Sequence, residues 1–336
     1  MRIAVDAMGG DEAPRAVVAG AVRAARRLPV DLVLVGAASA IEREIDRHRD
    51  ARALRLAVKD AAESVGMEEA PAAALRSKPG ASIRVAAAMV ASGEASGLFS
   101  AGNTGATVMA AHGEIGMLPG VDRPALASAI PTRNTPAVLL DLGANSSCRP
   151  RHLVQFAVMG AVYARAALGI ERPRVGLLSI GHEEGKGNAL TREAYRLLKS
   201  GPLSFVGNIE ARDIYSGKGD VIVCDGFTGN IAIKVSEAVV DMVEASLLEE
   251  KGRGRSAGAA GVASGERVFR RLRRRFDWAE YGGAPLLGVA GVCIVGHGRS
   301  SARAVENGIA MAARFANDEV VRRIERDIAS IGELPT

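Results

Sequence analysis

Lysine is scarce in this chain, only seven of the 43 basic residues, yet one of them, Lys186, stands between two glycines in HEEGKGN. A point charge on a flexible stem, flanked by backbone without side chains, suits a phosphate or a developing oxyanion. Five other segments have the same character. SAGNTGA supplies Gly102, Asn103, Thr104 and Gly105 at a strand-to-helix turn, where backbone N–H groups and the helix dipole favour an anion. AMGGD, after an apolar run ending in Asp6, supplies Gly9 and Gly10; LGAN supplies Asn145, and the KGN of the lysine loop supplies Asn188. FTGN brings Thr228, Gly229 and Asn230, and HGRSS brings His297, Arg299 and Ser300. Any one of these loops reads equally well as a tight turn or a helix cap. Their recurrence points to a shared anion pocket. Asn230, just ahead of a helix, could donate its amide to a carbonyl oxygen or cap that helix, and the Arg299 fork suits phosphate.

The standard nucleotide and hydrolase motifs are missing. In GHEEGKGN three residues, not four, separate Gly181 from Gly185-Lys186, and Gly187 stands where a P-loop needs Ser or Thr. No GxGxxG follows a strand, and there is no GxSxG elbow or HExxH pair. The five histidines lack ligand spacing, so neither a metal nor a cofactor is expected. Cys148, Cys224 and Cys293 lie far apart, which fits a reducing compartment and argues against a covalent acyl-cysteine.

These loops need a scaffold, and each follows an apolar run of four to six residues and precedes a helix-like stretch. Such runs suit strands covered on both faces. The expectation is an α/β fold, a three-layer α/β/α sandwich on a mostly parallel sheet, with residues 1–330 forming one domain around a central cleft. No charge-free apolar run reaches 18 residues and no basic-then-apolar signal opens the chain, so a cytoplasmic protein is expected. Aromatics make up 4%, too few for interleaved nucleic-acid stacking. Of the net charge of +5, residues 251–280 carry +6. There, 251–265 reads as a flexible Gly/Ala-rich loop and 266–276 as a basic amphipathic helix. That helix sets Phe269, Leu272 and Phe276 on one face, with Arg267, Arg270, Arg271, Arg273, Arg274 and Arg275 around the rest. It reads as a plain surface helix or as a contact for an acidic protein or an anionic membrane surface.

The segments IAVDAMGGDEAP, SAGNTGA, LLDLGAN, VGLLSIGHEEGKGN, DVIVCDGFTGN and EYGGAPLLGVAGVCIVGHGRSS, in this order, resemble the bacterial phosphate acyltransferase (PlsX) family from Arg2 to about Ala316. The resemblance implies transfer of a fatty acyl group from acyl carrier protein (ACP) to inorganic phosphate, giving an acyl phosphate for phospholipid synthesis. A membrane-bound glycerol-3-phosphate acyltransferase is then implied downstream. It also implies a homodimer and a fold similar to isocitrate and isopropylmalate dehydrogenases and to phosphotransacetylase. Carried over from the matching motifs, Lys186 and Asn230 are the catalytic residues, and the Gly/Asn loops with Arg299 hold the phosphate. The family's double-Ser element is replaced here by LRSKPGASIRVA, which leaves Ser82 without an assigned role. The 251–265 loop is richer in Gly and Ala than the family's hydrophobic tip. Two rival readings are a metal-dependent NAD(P) dehydrogenase on the same fold, disfavoured by the lack of an aspartate cluster, and a non-catalytic ACP or membrane binder.

Overall fold

The computed structural model describes residues 1–252, 280 and 282–330. Eleven strands form one sheet: β1 (Arg2–Asp6), β2 (Asp31–Gly36), β3 (Leu56–Asp60), β4 (Gly97–Ser100), β5 (Ala125–Ile130), β6 (Ala137–Leu140), β7 (Val175–Ser179), β8 (Phe205–Glu210), β9 (Val221–Val223), β10 (Ala284–Leu287) and β11 (Val292–Val295). Their order is β3-β2-β1-β4-β11-β10-β5-β6-β9-β7-β8.

Alternate residues of each strand enter opposite layers. Ile3 and Val5 of β1, Leu32 and Leu34 of β2, and Val138 and Leu140 of β6 join one core. Ala4, Val33 and Val35 face a second, and Ala137 and Leu139 a third. Helices α1 (Arg15–Arg27), α2 (Ala38–Ile45), α6 (Pro150–Leu168), α7 (Ala189–Ser200), α9 (Ala302–Asn317) and α10 (Val320–Ser330) cover the first face. The other face is covered by α3 (Pro71–Ser77), α4 (Ser82–Ala91) and α5 (Thr104–Ala110) over one half and by α8 (Gly226–Gly252) over the other. The three-layer α/β/α sandwich expected from the sequence is the observed one.

The sheet departs from uniform parallel pairing at its centre. β3, β2, β1, β4 and β11 form one parallel block, and β6, β9, β7 and β8 form another. Between them β11–β10, β10–β5 and β5–β6 are antiparallel, so the blocks run in opposite directions along the ladder. Each strand step adds about 20–25° of twist. α8 continues through Gly252, so Lys251 and Gly252 of the expected flexible loop are helical, and residues 253–265 of that loop lie outside the described residues. The amphipathic helix at 266–276 lies outside the described residues.

One ion cluster ties the chain's beginning to its end. Glu306 of α9 is buried, 3% exposed, and accepts from Arg23 Nε at 2.7 Å and from Arg27, both on α1. Burial pushes the Glu306 carboxyl up, but the two arginine bonds outweigh it and hold the group below its ordinary value. A lowered folded-state value means that this stabilisation is complete above the unfolded value of 4.5 and is lost as pH falls through the folded one. Glu306→Gln should therefore cost about 2 kcal/mol at pH 7, less than for a fully buried pair because the arginines are solvated. The difference from wild type should shrink below pH 4.5, as read by urea unfolding across pH.

Candidate active site

The first group of loops leaves β1, β4 and β11, which are in register at Asp6, Ser100 and Val295. Asp6 does not face solvent. Its buried carboxylate accepts from Ser82 Oγ and Ser100 Oγ, each at 2.7 Å, and from the Met8 N–H at 3.3 Å. Burial raises its carboxyl above the ordinary value, and these three bonds oppose the rise. Ser82 thus has a place: it opens α4 and holds Asp6 from below. Above the carboxylate the AMGGD and SAGN loops press together, so closely that a Cβ on Gly9 would lie 2.6 Å from the Gly102 nitrogen. The Asp11 N–H donates to the Gly298 carbonyl at 2.8 Å, joining HGRSS to the same group.

Several polar side chains here have internal partners. Asn103 caps α5 through Oδ1 to the Ala106 N–H, while its Nδ2 donates to the Met67 and Glu69 carbonyls. Ser300 is buried and accepts from the His297 N–H at 3.1 Å. Gly102 donates its N–H to Ser100 Oγ, and Gly105 abuts Pro71. Thr104 and Arg299 are exposed, at the mouths of their loops. Burial lowers the His297 imidazole; Glu237 and Asp11 work against that, and Arg299 and Lys234 with it. Lys234 and Glu237 belong to α8, so α8 carries the second group of loops up against the first.

That second group leaves β6, β9 and β7, in register at Leu140, Val223 and Leu177. Its anchor is Asp141, which is fully buried. The carboxylate accepts from the N–H groups of Leu126, Gly143, Ala144 and Asn145 and from Asn145 Nδ2, at 2.8–3.2 Å. Burial again raises its carboxyl, opposed by these bonds. Asn145 also donates to the Pro124 carbonyl, and its own carbonyl accepts from Gly226 at 2.8 Å. α8 then passes so near the Asp141 carbonyl that a Cβ on Gly229 would sit 1.9 Å from it.

Asn230 is not ahead of a helix or at its cap. The helix begins at Gly226, with Asp225 accepting from the N–H and hydroxyl of Thr228, both at 2.9 Å. Asn230 therefore lies inside α8, beside Gly143, on the helical face shared by Lys234 and Glu237. Lys186 is exposed. Its N–H closes a turn onto the Glu183 carbonyl at 3.0 Å, and its stem folds over Gly181. Among the described residues no side chain pairs with its ammonium. Asn188 caps α7, accepting from the Thr191 N–H at 2.9 Å.

The thiols are poor nucleophiles. Burial pushes Cys148 and Cys293 up to about 12 and raises Cys224 well above its ordinary value. The sequence reading missed Asp141, Ser82 and Ser100. The signal was present as an aspartate closing an apolar run immediately before a glycine-rich turn, in VDAMGG and in LDLGAN.

A sandwich of this topology with glycine-rich loops and a lysine at its strand ends offers places for an anion, and comparison with known proteins gives the class. Residues 1–323 match the family model described as "Fatty acid synthesis protein", and the chain belongs to that family. A curated relative from Acidobacterium capsulatum, named phosphate acyltransferase, is 48% identical over 98% of this chain and 97% of its own. Another of that name, from Syntrophotalea carbinolica, is 46% identical over 98% and 94%. The chain is accordingly an acyltransferase enzyme. A phosphotransacetylase from Streptococcus pyogenes shares the fold, with a TM-score of 0.62 at 18% identity over 94% of both chains. Among the described residues no helix is long and apolar enough to cross a membrane.

Asp141→Asn leaves one carbonyl oxygen where two oxygens served five donors, and aims an NH₂ at N–H groups. It should cost about 3 kcal/mol in unfolding free energy. A midpoint unchanged from wild type in chemical denaturation would contradict the anchoring role.

Proposed function

We propose that the chain transfers a fatty acyl group from ACP to inorganic phosphate, giving an acyl phosphate that a membrane-bound glycerol-3-phosphate acyltransferase consumes in phosphatidic acid synthesis. The observation that carries this reading is the pair Lys186 and Asn230, presented from the exits of the neighbouring strands β7 and β9 in a site whose thiols stay protonated. Phosphate is already an anion at neutral pH and needs no strong base. A phosphate oxygen attacks the thioester carbonyl carbon, the tetrahedral oxyanion forms, and the C–S bond breaks to release the carrier thiolate, which takes up a proton. The Lys186 ammonium and the Asn230 amide stabilise the oxyanion. Backbone N–H groups of the AMGGD and SAGNTGA loops that have no internal partner, with Thr104 and Arg299, hold the phosphate in the cleft between the two groups of loops.

The same reading makes the enzyme a cytoplasmic homodimer at the inner face of an anionic membrane. Supporting a second copy, α8 exposes Phe227, Ile231, Val235, Val239 and Met242 along one side, opposite its attachment to the sheet. The ACP or membrane contact rests on the sequence of 266–276 alone.

The test is turnover of acyl-ACP with phosphate, with acyl phosphate trapped by hydroxylamine. Lys186→Ala and Asn230→Ala should each lose about 10²–10³ in kcat with native circular dichroism. An undiminished rate in both variants, or activity with acyl-coenzyme A alone, would overturn the respective part of the proposal. Replacing all three cysteines by Ala or Ser should leave turnover largely intact, and an acyl group captured on a cysteine by rapid quench would contradict direct attack.

A further inference from the structure

We propose that His182 is a positioning residue, a pin that fixes the turn carrying Lys186 to the end of β8; its kinetic part rests on the reading of Lys186 as the group facing the oxyanion. The turn has little to hold it from beneath. Unlike the loops anchored by Asp6 and Asp141, it has no buried carboxylate gathering its N–H groups, and Gly181, Gly185 and Gly187 leave its backbone loose. Apart from Arg192 and Lys199 of α7, which reach the Gly187 carbonyl and the Glu184 carboxylate at 2.7 Å each, its attachments run to the end of β8. Asn208, buried in β8, donates Nδ2 to the Glu183 carbonyl at 2.8 Å, the same oxygen that accepts from the Lys186 N–H at 3.0 Å. His182 completes the clamp. Its Nδ1 lies 3.4 Å from the Asn208 carbonyl oxygen, and its Nε2 lies 3.2 Å from both Glu210 Oε1 and Asp213 Oδ2.

Every one of those partners is an acceptor, so a ring carrying a proton on each nitrogen satisfies all of them. The two carboxylates are themselves braced. Arg212 pairs with Glu210 at 2.8 Å, and Lys218 pairs with Asp213 at 2.7 Å. The ring is therefore docked on a rigid acidic ledge formed by the end of β8 and the 3-10 turn Ala211–Asp213. Four residues along, the Lys186 stem lies over Gly181, the neighbour of His182. Movement of the pin thus displaces the lysine directly, and a displacement of about 1 Å at a reacting centre costs up to about 100-fold in rate.

The experiment combines amide hydrogen exchange with kinetics on the full-length enzyme. His182→Ala should speed exchange at Gly185–Gly187 without altering the exchange of β7 or β8. In turnover of acyl-ACP with phosphate, it should lower kcat about 10- to 100-fold with KM for the acyl donor unchanged. His182→Gln, whose amide still donates to the ledge, should recover part of the loss. In the Lys186→Ala background, adding His182→Ala should cause no further loss, because the pin acts through the lysine. Unchanged exchange in His182→Ala overturns the clamp, and a full additional loss in the double variant overturns its action through Lys186. Wild-type activity in Lys186→Ala sinks the catalytic reading of that lysine and leaves the exchange result to decide the clamp.

Discussion

A carboxylate removed from water costs several kcal/mol unless donors surround it, and both groups of glycine-rich loops are built around that requirement. Asp6 ends β1 and Asp141 follows β6, and each is buried beneath a glycine-rich turn. Asp141 meets the demand with backbone N–H groups of the turn itself, so its charge dictates the conformation of Leu142–Asn145. Asp6 uses hydroxyls instead, from the first residue of α4 and the last of β4, and so ties a strand, its neighbour and a helix into one unit. In both places the glycines follow from the carboxylate. Gly9 and Gly229 lie where any side chain would strike the neighbouring backbone.

Two anchored platforms can serve one site only if an element joins them across the antiparallel centre of the sheet. α8 makes the connection. It starts on the Asp141 platform, where Asn145 accepts from Gly226, and its Lys234 and Glu237 reach the electrostatic surroundings of His297 on the other.

The layered fold was legible because the inner strands bury both faces, leaving unbroken apolar runs that can be read directly, whereas the edge strands β3 and β8 stay partly exposed. Strand direction was not, since β5 and β10 (ALASAI and APLL) have nothing in composition that distinguishes antiparallel from parallel pairing. The start of α8 was hidden for a related reason. Glycine disfavours helix, and Gly226 and Gly229 made DGFTGN read as a loop, whereas their small size is what lets the helix begin against the Asp141 backbone. Among the candidate site residues, the recurrence of Gly/Asn turns marked loops at strand exits but did not separate their roles. Asn103, Asn145 and Asn188 turn out to have their side chains engaged within the loops that contain them.

That engagement narrows what can meet a substrate. Where amides and hydroxyls are bonded internally, an anion is left with backbone N–H groups, the exposed Arg299 and Thr104, the Asn230 amide, and Lys186, which pairs with no side chain among the described residues. Such a set has donors and cations, with Asp6 and Asp141 buried beneath the loops rather than beside the anion. It suits a nucleophile that arrives already charged, for which a general base adds little, and a transition state whose new charge sits on oxygen. The least anchored of these donors is the lysine. Its loop is held from the side, by the β8 ledge and by Arg192 and Lys199 of α7, so on the proposed mechanism the placing of the lysine depends on these side chains rather than on a buried carboxylate beneath it. Stability and turnover should therefore respond to different residues in this enzyme: the buried aspartates set whether the loops form, and the ledge at the end of β8 sets where the lysine is held.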